Sequence, residues 1–140
     1  MLSSISKINW FAVLLSLLFF SFLGFLWFTV LFSNQYAAAL GKEGMMPADP
    51  DPIYFYGPPL TILPTIITTA LLMVLLQINT IKKTIEFAFI IGLGFLVANS
   101  LDIAINPNIP HPMRYGIIVG GFHIVGILVS CLIMLIMRKK

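Results

Sequence analysis

Four long apolar segments constrain this sequence more than any other feature. They run from about residue 8 to 32, 60 to 81, 84 to 105 and 115 to 137. The hydrocarbon core of a bilayer is about 30 Å thick, and a helix needs about 20 mostly apolar residues to cross it. Lipid offers no partner to an unpaired backbone group, so each segment must be helical. The sequence therefore predicts an all-α fold, an integral membrane four-helix bundle, as a single domain over residues 1–140.

Composition excludes a water-soluble domain. Hydrophobic residues make up 59% of the chain and charged residues only 9%, whereas a soluble domain carries about 25% charged residues. Small domains bury only about 60–70% of the surface that the unfolded chain exposes, so water would meet too much apolar surface here. The first segment is longer than the ~7–15 residues of a signal-peptide core, so we expect it to be retained as a span.

Lysine and arginine predict the orientation of the chain. With four spans, one side of the membrane holds six basic residues and the other holds only Lys42 and Arg114. Cytoplasmic loops carry the excess of basic residues, so both termini are expected in the cytoplasm. Because the basic residues sit at the ends of apolar segments and form no stripe, no nucleic-acid partner is expected. The six are Lys7, Lys82, Lys83, Arg138, Lys139 and Lys140.

The links between spans are predicted from proline content and from length. The stretch 45–52 and Gly57-Pro58-Pro59 are rich in proline, which breaks helices, so the first link is expected to be irregular up to Pro59. The link between the second and third spans is very short, which predicts that these helices form an antiparallel hairpin. Just after it, Glu86 is spaced to form an ion pair with Lys82 or Lys83.

Three polar residues inside the apolar segments form the candidate site. Asn99 and Asp102 lie one turn apart on the third span, and His123 on the fourth span is expected in the same half of the bilayer. Ionisable groups are expensive in a bilayer, which favours a polar pocket, a proton-relay step or a ligand contact. The structural alternative is a hydrogen bond between adjacent helices, worth ~0.6 kcal/mol on average. Asp102 has a further alternative, in which it reaches the interface and meets Arg114.

Small residues predict close helix packing. Gly116 and Gly120 form a small-xxx-small pair on the fourth span, followed by Gly121, and Gly24 offers a close contact on the first span. Such residues act either within one chain or between chains, so self-association through the fourth span is expected as well.

Signals for cofactors and catalysis are weak. The sequence has two histidines, His111 and His123, whereas a zinc site needs three or four convergent ligands. The single cysteine, Cys131, has no base at a defined spacing, and neither does any serine. We therefore expect no metal, no cofactor and no catalytic residue.

The chain resembles a known family over most of its length, and most specifically in its first third. Its residues look like the opening of the small bacterial membrane proteins grouped as domain-of-unknown-function family 1761. That resemblance implies a bacterial plasma membrane and lends no activity or catalytic residue. It also implies a polar helix start at Asn9, a close helix contact at Gly24 and an interfacial anchor at Trp27. The matching stretches are Asn9-Trp10-Phe11-Ala12-Val13-Leu14, Gly24-Phe25-Leu26-Trp27-Phe28, Leu31-Phe32 and Tyr36, with compatible glycines at Gly92, Gly94 and Gly120 to Gly126.

These features predict a small multi-pass membrane protein with an accessory or structural role. Its expected partners are the lipid bilayer and either a second copy or another membrane protein. The alternative is a subunit of a small transporter or channel, in which Asn99, Asp102 and His123 line an outward-facing polar pocket. A third possibility is a membrane enzyme acting on a lipid or quinone, with His123 or Asp102 as base.

Overall fold

The computed structural model describes residues 2–45 and 51–139, and every regular element in these ranges is helical. Two of the elements are wider, π-helical segments, Trp27–Leu31 and Gly92–Val97. They continue the α-helices that precede them. The α-helices are Leu2–Ile5, Trp10–Leu26, Ser33–Ala39, Ile53–Leu75, Ile81–Ile91, Ala98–Ala104 and Pro112–Ile136.

Four helices are long and apolar enough to cross a membrane. They are span one, Trp10–Leu31; span two, Ile53–Leu75; span three, Ile81–Ala104; and span four, Pro112–Ile136. The all-α class with four long apolar helices is thereby confirmed. Spans one, three and four match the predicted segments to within three residues at either end.

Span two begins seven residues earlier than predicted, and the expectation of an irregular chain up to Pro59 is wrong. An Asp51 carboxylate oxygen accepts from the amide of Ile53 at 2.9 Å, which caps the new helix start. Pro58 and Pro59 lie in the second turn of the helix. Proline has no backbone N–H, so each leaves the carbonyl four residues earlier unpaired, and these carbonyls belong to exposed residues that water can reach. Residues 46–50 of the proline-rich stretch lie outside the described residues.

Span two ends in a tight turn with a residue in the left-handed region. Gln77 has φ 52°, and the amide of Ile78 donates to the carbonyl of Met73 at 2.9 Å. This is the Schellman pattern, which satisfies carbonyls at a helix end. Beyond it, the Lys82 ammonium lies 3.9 Å from the Glu86 carboxylate, which confirms the predicted ion pair.

Spans one and four form the centre of the bundle. They run antiparallel, because Ser16 near the start of span one donates to the carbonyl of Ser130, whereas Trp27 at its other end donates to Ile118. Span two packs mainly on span one, and span three packs on span four. Among the described residues, spans two and three do not pack closely on each other, so the short link does not produce the predicted packed hairpin. Each of the two helices finds its partner in the central pair.

The two ends of the chain meet at one end of the bundle. The side-chain amide of Asn9 donates to the carbonyl of Met137, and the Lys139 ammonium donates to the carbonyl of Ser6 at 3.1 Å. Lys7, Arg138 and Lys139 gather here, as predicted for one side of a membrane, while Lys140 lies outside the described residues. We call this the basic end of the bundle, and the opposite end the outer end.

Candidate functional site

The three polar residues of the candidate site differ in burial. Asn99 and Asp102 are exposed on the part of span three nearer the outer end, whereas His123 is half-buried on span four. Within the described ranges, none of these three side chains makes a hydrogen bond or an ion pair, and Asp102 does not pair with Arg114. The described residues therefore show no polar contact between the three groups, and a shared pocket stays a prediction.

A π-helical segment in span three explains why Asn99 and Asp102 face outward. They follow the buried Ala88 by 11 and 14 residues, or about three and four turns of an α-helix at 3.6 residues per turn. A continuous α-helix would bring both to the buried face. The segment Gly92–Val97 has wider turns, which use about one residue more and rotate everything after them. Ser100 and Ala104 are buried in their place.

His123 lies among aromatic rings. Its ring centroid is 5.1 Å from that of Phe122 and 6.3 Å from that of Phe20. The Nδ1 atom of His123 is buried without a hydrogen-bond partner in the described part of the chain. A proton relay needs a second donor or acceptor within hydrogen-bond reach, and these two rings supply none. His123 therefore has no relay partner among the described residues.

An aromatic column fills the seam between spans one and four. From Phe122, the column continues to Phe28 at 5.0 Å between centroids, then to Tyr36 at 4.8 Å and to Tyr115 at 5.9 Å. Burial, with a smaller contribution from Tyr115, raises the pKa of Tyr36 to about 12. The column thus closes the seam with rings, and Tyr36 stays neutral at physiological pH.

Trp27 lies inside this packing, although the sequence suggested an interfacial anchor. Its indole is half-buried, with centroids 4.7 Å from Phe32 and 6.5 Å from Phe122. The indole N–H donates to the carbonyl of Ile118 on span four at 3.0 Å. Trp27 therefore joins the two central spans and satisfies its polar atom within the bundle.

The four glycines predicted to pack helices each face a neighbouring helix of the same chain. A side chain at Gly116 would collide with Leu101, and one at Gly120 would lie 3.2 Å from Val97, so both face span three. Gly121 faces Trp27 at 3.3 Å. Gly24 faces Phe122 of span four at 3.4 Å. Spans one and three thus pack against these glycines of span four, and self-association through the fourth span stays a prediction.

A small and polar surface is instead left open on span three. Gly94, Ala98, Asn99 and Asp102 are all exposed, and nothing lies within 4 Å of the position that a Gly94 side chain would take. Gly94 lies one wide turn before Ala98 and Asn99, and Asp102 follows Ala98 by one turn. We call these four residues the span-three face. A glycine and an alanine four residues apart indicate this face in the sequence. The sequence does not indicate the direction in which the face points.

Two cavities open at opposite ends of the bundle, and neither is lined by Asn99, Asp102 or His123. The outer cavity, of about 740 Å³, is lined by Glu43 and Arg114 and has Ile118 among its apolar residues. The other, of about 380 Å³, lies at the basic end. The sequence did not predict that these charged residues line cavities, because each of them, taken alone, resembles an ordinary residue that flanks an apolar segment.

Comparison with known proteins identifies one family. No curated protein and no solved structure matches the chain. The family model described as "Protein of unknown function (DUF1761)" matches residues 11–135, which include all of spans two and three and nearly all of spans one and four. Because this match covers almost the full length of the chain, the chain belongs to the DUF1761 family of proteins of unknown function.

Proposed function

We propose that this chain is a multi-pass membrane protein with both termini in the cytoplasm, and that it acts as an accessory or structural protein by pairing with a second copy. The observation that carries this proposal is the exposed span-three face, on which Asn99 and Asp102 have no partner within the described chain. Polar groups inside a bilayer are costly and usually face protein or water. A second copy would cover Asn99, which lies deeper in span three than Asp102.

The span-three face is self-complementary. In a two-fold dimer with its axis along the membrane normal, each residue lies at the same depth in both copies. The Asn99 amide both donates and accepts hydrogen bonds, so two such amides can pair with each other. Gly94 and Ala98 let the two helix backbones approach closely. Asp102 lies about 3 Å below the end of span three and reaches interfacial water from there.

Pairing can be measured by energy transfer between donor- and acceptor-labelled copies of the full chain in liposomes, as protein is diluted into lipid. We expect Gly94→Ile and Asn99→Leu each to weaken pairing by about 3- to 30-fold, the range for a lost intramembrane hydrogen bond of about 0.6–2 kcal/mol. Thr68→Ile, at an exposed position of span two, is the matched control and should pair like the parent. A monomeric parent, or unchanged pairing of both variants, would refute the proposal. A different protein captured at this face in native membranes would replace the second copy as partner.

The membrane location and orientation need a separate test. We expect the chain to remain in the membrane fraction after alkaline carbonate extraction. In intact cells, a membrane-impermeant thiol reagent should label Lys42→Cys and leave Lys83→Cys unlabelled, because Lys83 belongs to the side with more basic residues. The native Cys131 is fully buried, so it should contribute little background. The reverse labelling pattern would overturn the orientation.

The outer cavity supports a second candidate, a subunit of a small transporter. Glu43 and Arg114 place opposite charges on one opening of about 740 Å³, with Ile117 and Ile118 among the apolar residues around it. A pathway for a small zwitterion would have this combination of charges. Flux of amino acids into proteoliposomes should then be lost in both Glu43→Gln and Arg114→Gln. Absence of flux in the parent would remove this candidate.

A further inference from the structure

The cavity at the basic end is built from the ends of three different spans. It lies where the start of span one, the end of span two and the end of span four come together, and its volume is about 380 Å³. We call it the basic cleft. Its location at the end of the apolar spans corresponds to the level of lipid headgroups in the proposed membrane arrangement.

Three cations and no acidic residue line the basic cleft: Lys7, Arg138 and Lys139. Within the described ranges, the side chains of Lys7 and Arg138 make no hydrogen bond or ion pair, so their charges are uncompensated. Lys139 uses one N–H on the carbonyl of Ser6, at 3.1 Å, and keeps others available. The nearby acidic residue Glu86 is paired with Lys82. The field in the cleft is therefore positive.

The same cleft also has an apolar part. Ile8, Met73 and Met134 line it, although each is at least nine-tenths buried. Gln77 and Asn79 add two side-chain amides that make no hydrogen bond within the described chain. Cations beside free amides suit a phosphate, and buried hydrocarbon beside them suits an acyl or glycerol group.

We propose that the basic cleft binds the phosphate headgroup of an acidic phospholipid. Arg138 supplies a planar fork that matches two phosphate oxygens, and Lys7 supplies a second positive charge. The lipid's glycerol and first acyl carbons lie against Met73 and Met134. Basic pockets between spans on the cytoplasmic side are suited to acidic headgroups, because the cytoplasmic leaflet carries the anionic lipids. This inference rests on the membrane location proposed above and is independent of pairing through the span-three face.

Lipid retention by the purified full chain tests the proposal. The chain is held in a neutral detergent with phosphatidylglycerol or phosphatidylcholine of identical acyl chains, and lipids bound to the monomer are counted by native mass spectrometry. We expect phosphatidylglycerol to bind at least about fivefold more tightly, and Lys7→Gln and Arg138→Gln each to weaken it by about fivefold, the effect of one cation near a membrane surface. Because neither side chain makes a hydrogen bond or an ion pair within the described ranges, both variants should keep the parent's thermal stability without lipid.

Lys83→Gln is the matched control, since Lys83 lies near the same end of the bundle but does not line the cleft. It should change binding by less than about twofold. Equal retention of the two lipids, or an equal loss in Lys83→Gln and Arg138→Gln, would overturn the proposal. Displacement of the lipid by equimolar glycerol 3-phosphate would assign the cleft to a soluble phosphate instead. Because lipids are counted on the monomer, and carbonate extraction tests location separately, these failures are distinguishable from a failure of pairing.

Discussion

The ring of Phe20 on span one occupies the space beside Gly126 on span four that a side chain at position 126 would fill. Phe20 is only 1% exposed, so the bundle encloses its ring. The contact between the two central spans at this level therefore depends on the absence of a methyl group at position 126. This contact lies within the stretch of the seam occupied by Phe20, Phe122 and His123.

We expect Gly126→Ala to lower the free energy of unfolding by about 2 kcal/mol. Overpacking a closed core forces neighbouring groups apart and costs up to about 3 kcal/mol, and the gain of about 1 kcal/mol that alanine brings to a helix offsets part of this cost. Unfolding in mixed micelles, followed by circular dichroism during a titration with SDS, measures the difference. Gly94→Ala is the control, since Gly94 faces open space. A Gly126→Ala variant as stable as the parent would show that the ring can relocate.

Asn9 links the two ends of the chain and caps span one. Its side-chain oxygen accepts from the amides of Phe11 at 3.0 Å and Ala12 at 3.4 Å, while its amide donates to Met137. We expect Asn9→Ala to cost about 1–2 kcal/mol in the same titration, because both interactions are lost. Asn9→Ser keeps a capping oxygen and loses the link to Met137, so it should recover roughly half of the loss. Equal losses in the two variants would assign the whole effect to the link.

Gln77 occupies a left-handed position at the end of span two that favours glycine. A non-glycine residue with φ 52° pays a steric cost of about 1 kcal/mol. Its side chain makes no hydrogen bond within the described ranges that would offset this cost. We expect Gln77→Gly to raise the free energy of unfolding by about 0.5–1 kcal/mol, visible as a higher midpoint in thermal unfolding in detergent. Gln77→Ala keeps the steric cost and is the control; an equal gain there would contradict the explanation.

Tyr36 should make stability fall at high pH. Its pKa is about 12 in the folded chain, against about 10 for an unperturbed tyrosine, because burial disfavours the phenolate. The folded state therefore holds its proton more tightly. The resulting stabilisation is complete below pH 10 and is lost as the pH rises toward 12. The difference in melting temperature between the parent and Tyr36→Phe, measured from pH 9 to 12, isolates this effect from other titrating groups. A difference that does not change with pH would contradict it.

Counting residues along an apolar segment predicts how far a residue lies from the helix end. It predicts much less well the direction in which the side chain points around the helix axis. The lengths of the apolar segments were enough to place four helices, and only span two was displaced, because Asp51 starts a helix that tolerates Pro58 and Pro59 near its beginning. The direction of a side chain around the helix axis could not be predicted in the same way. A helix surrounded by lipid is apolar on every side, so its sequence carries little periodic signal for the packed face.

Asn99 shows the consequence for the candidate site. Its depth follows from counting residues, but its direction depends on the wide turns at Gly92–Val97, which no apolar pattern revealed. The basic cleft was missed for a related reason. Lys7, Gln77 and Arg138 come from three distant parts of the sequence, and only the packing of three helix ends brings them to one opening.

Because of the wide turns of span three, the deletion of one residue would change which side chains this helix exposes. Deleting a single residue from the stretch 92–97 would allow a continuous α-helix, and the terminal segment Ala98–Ala104 would rotate by about 100°. Asn99 and Asp102 would then turn toward span four, while Ser100 and Ala104 would turn outward. A single residue thus decides whether this helix exposes its polar groups or encloses them.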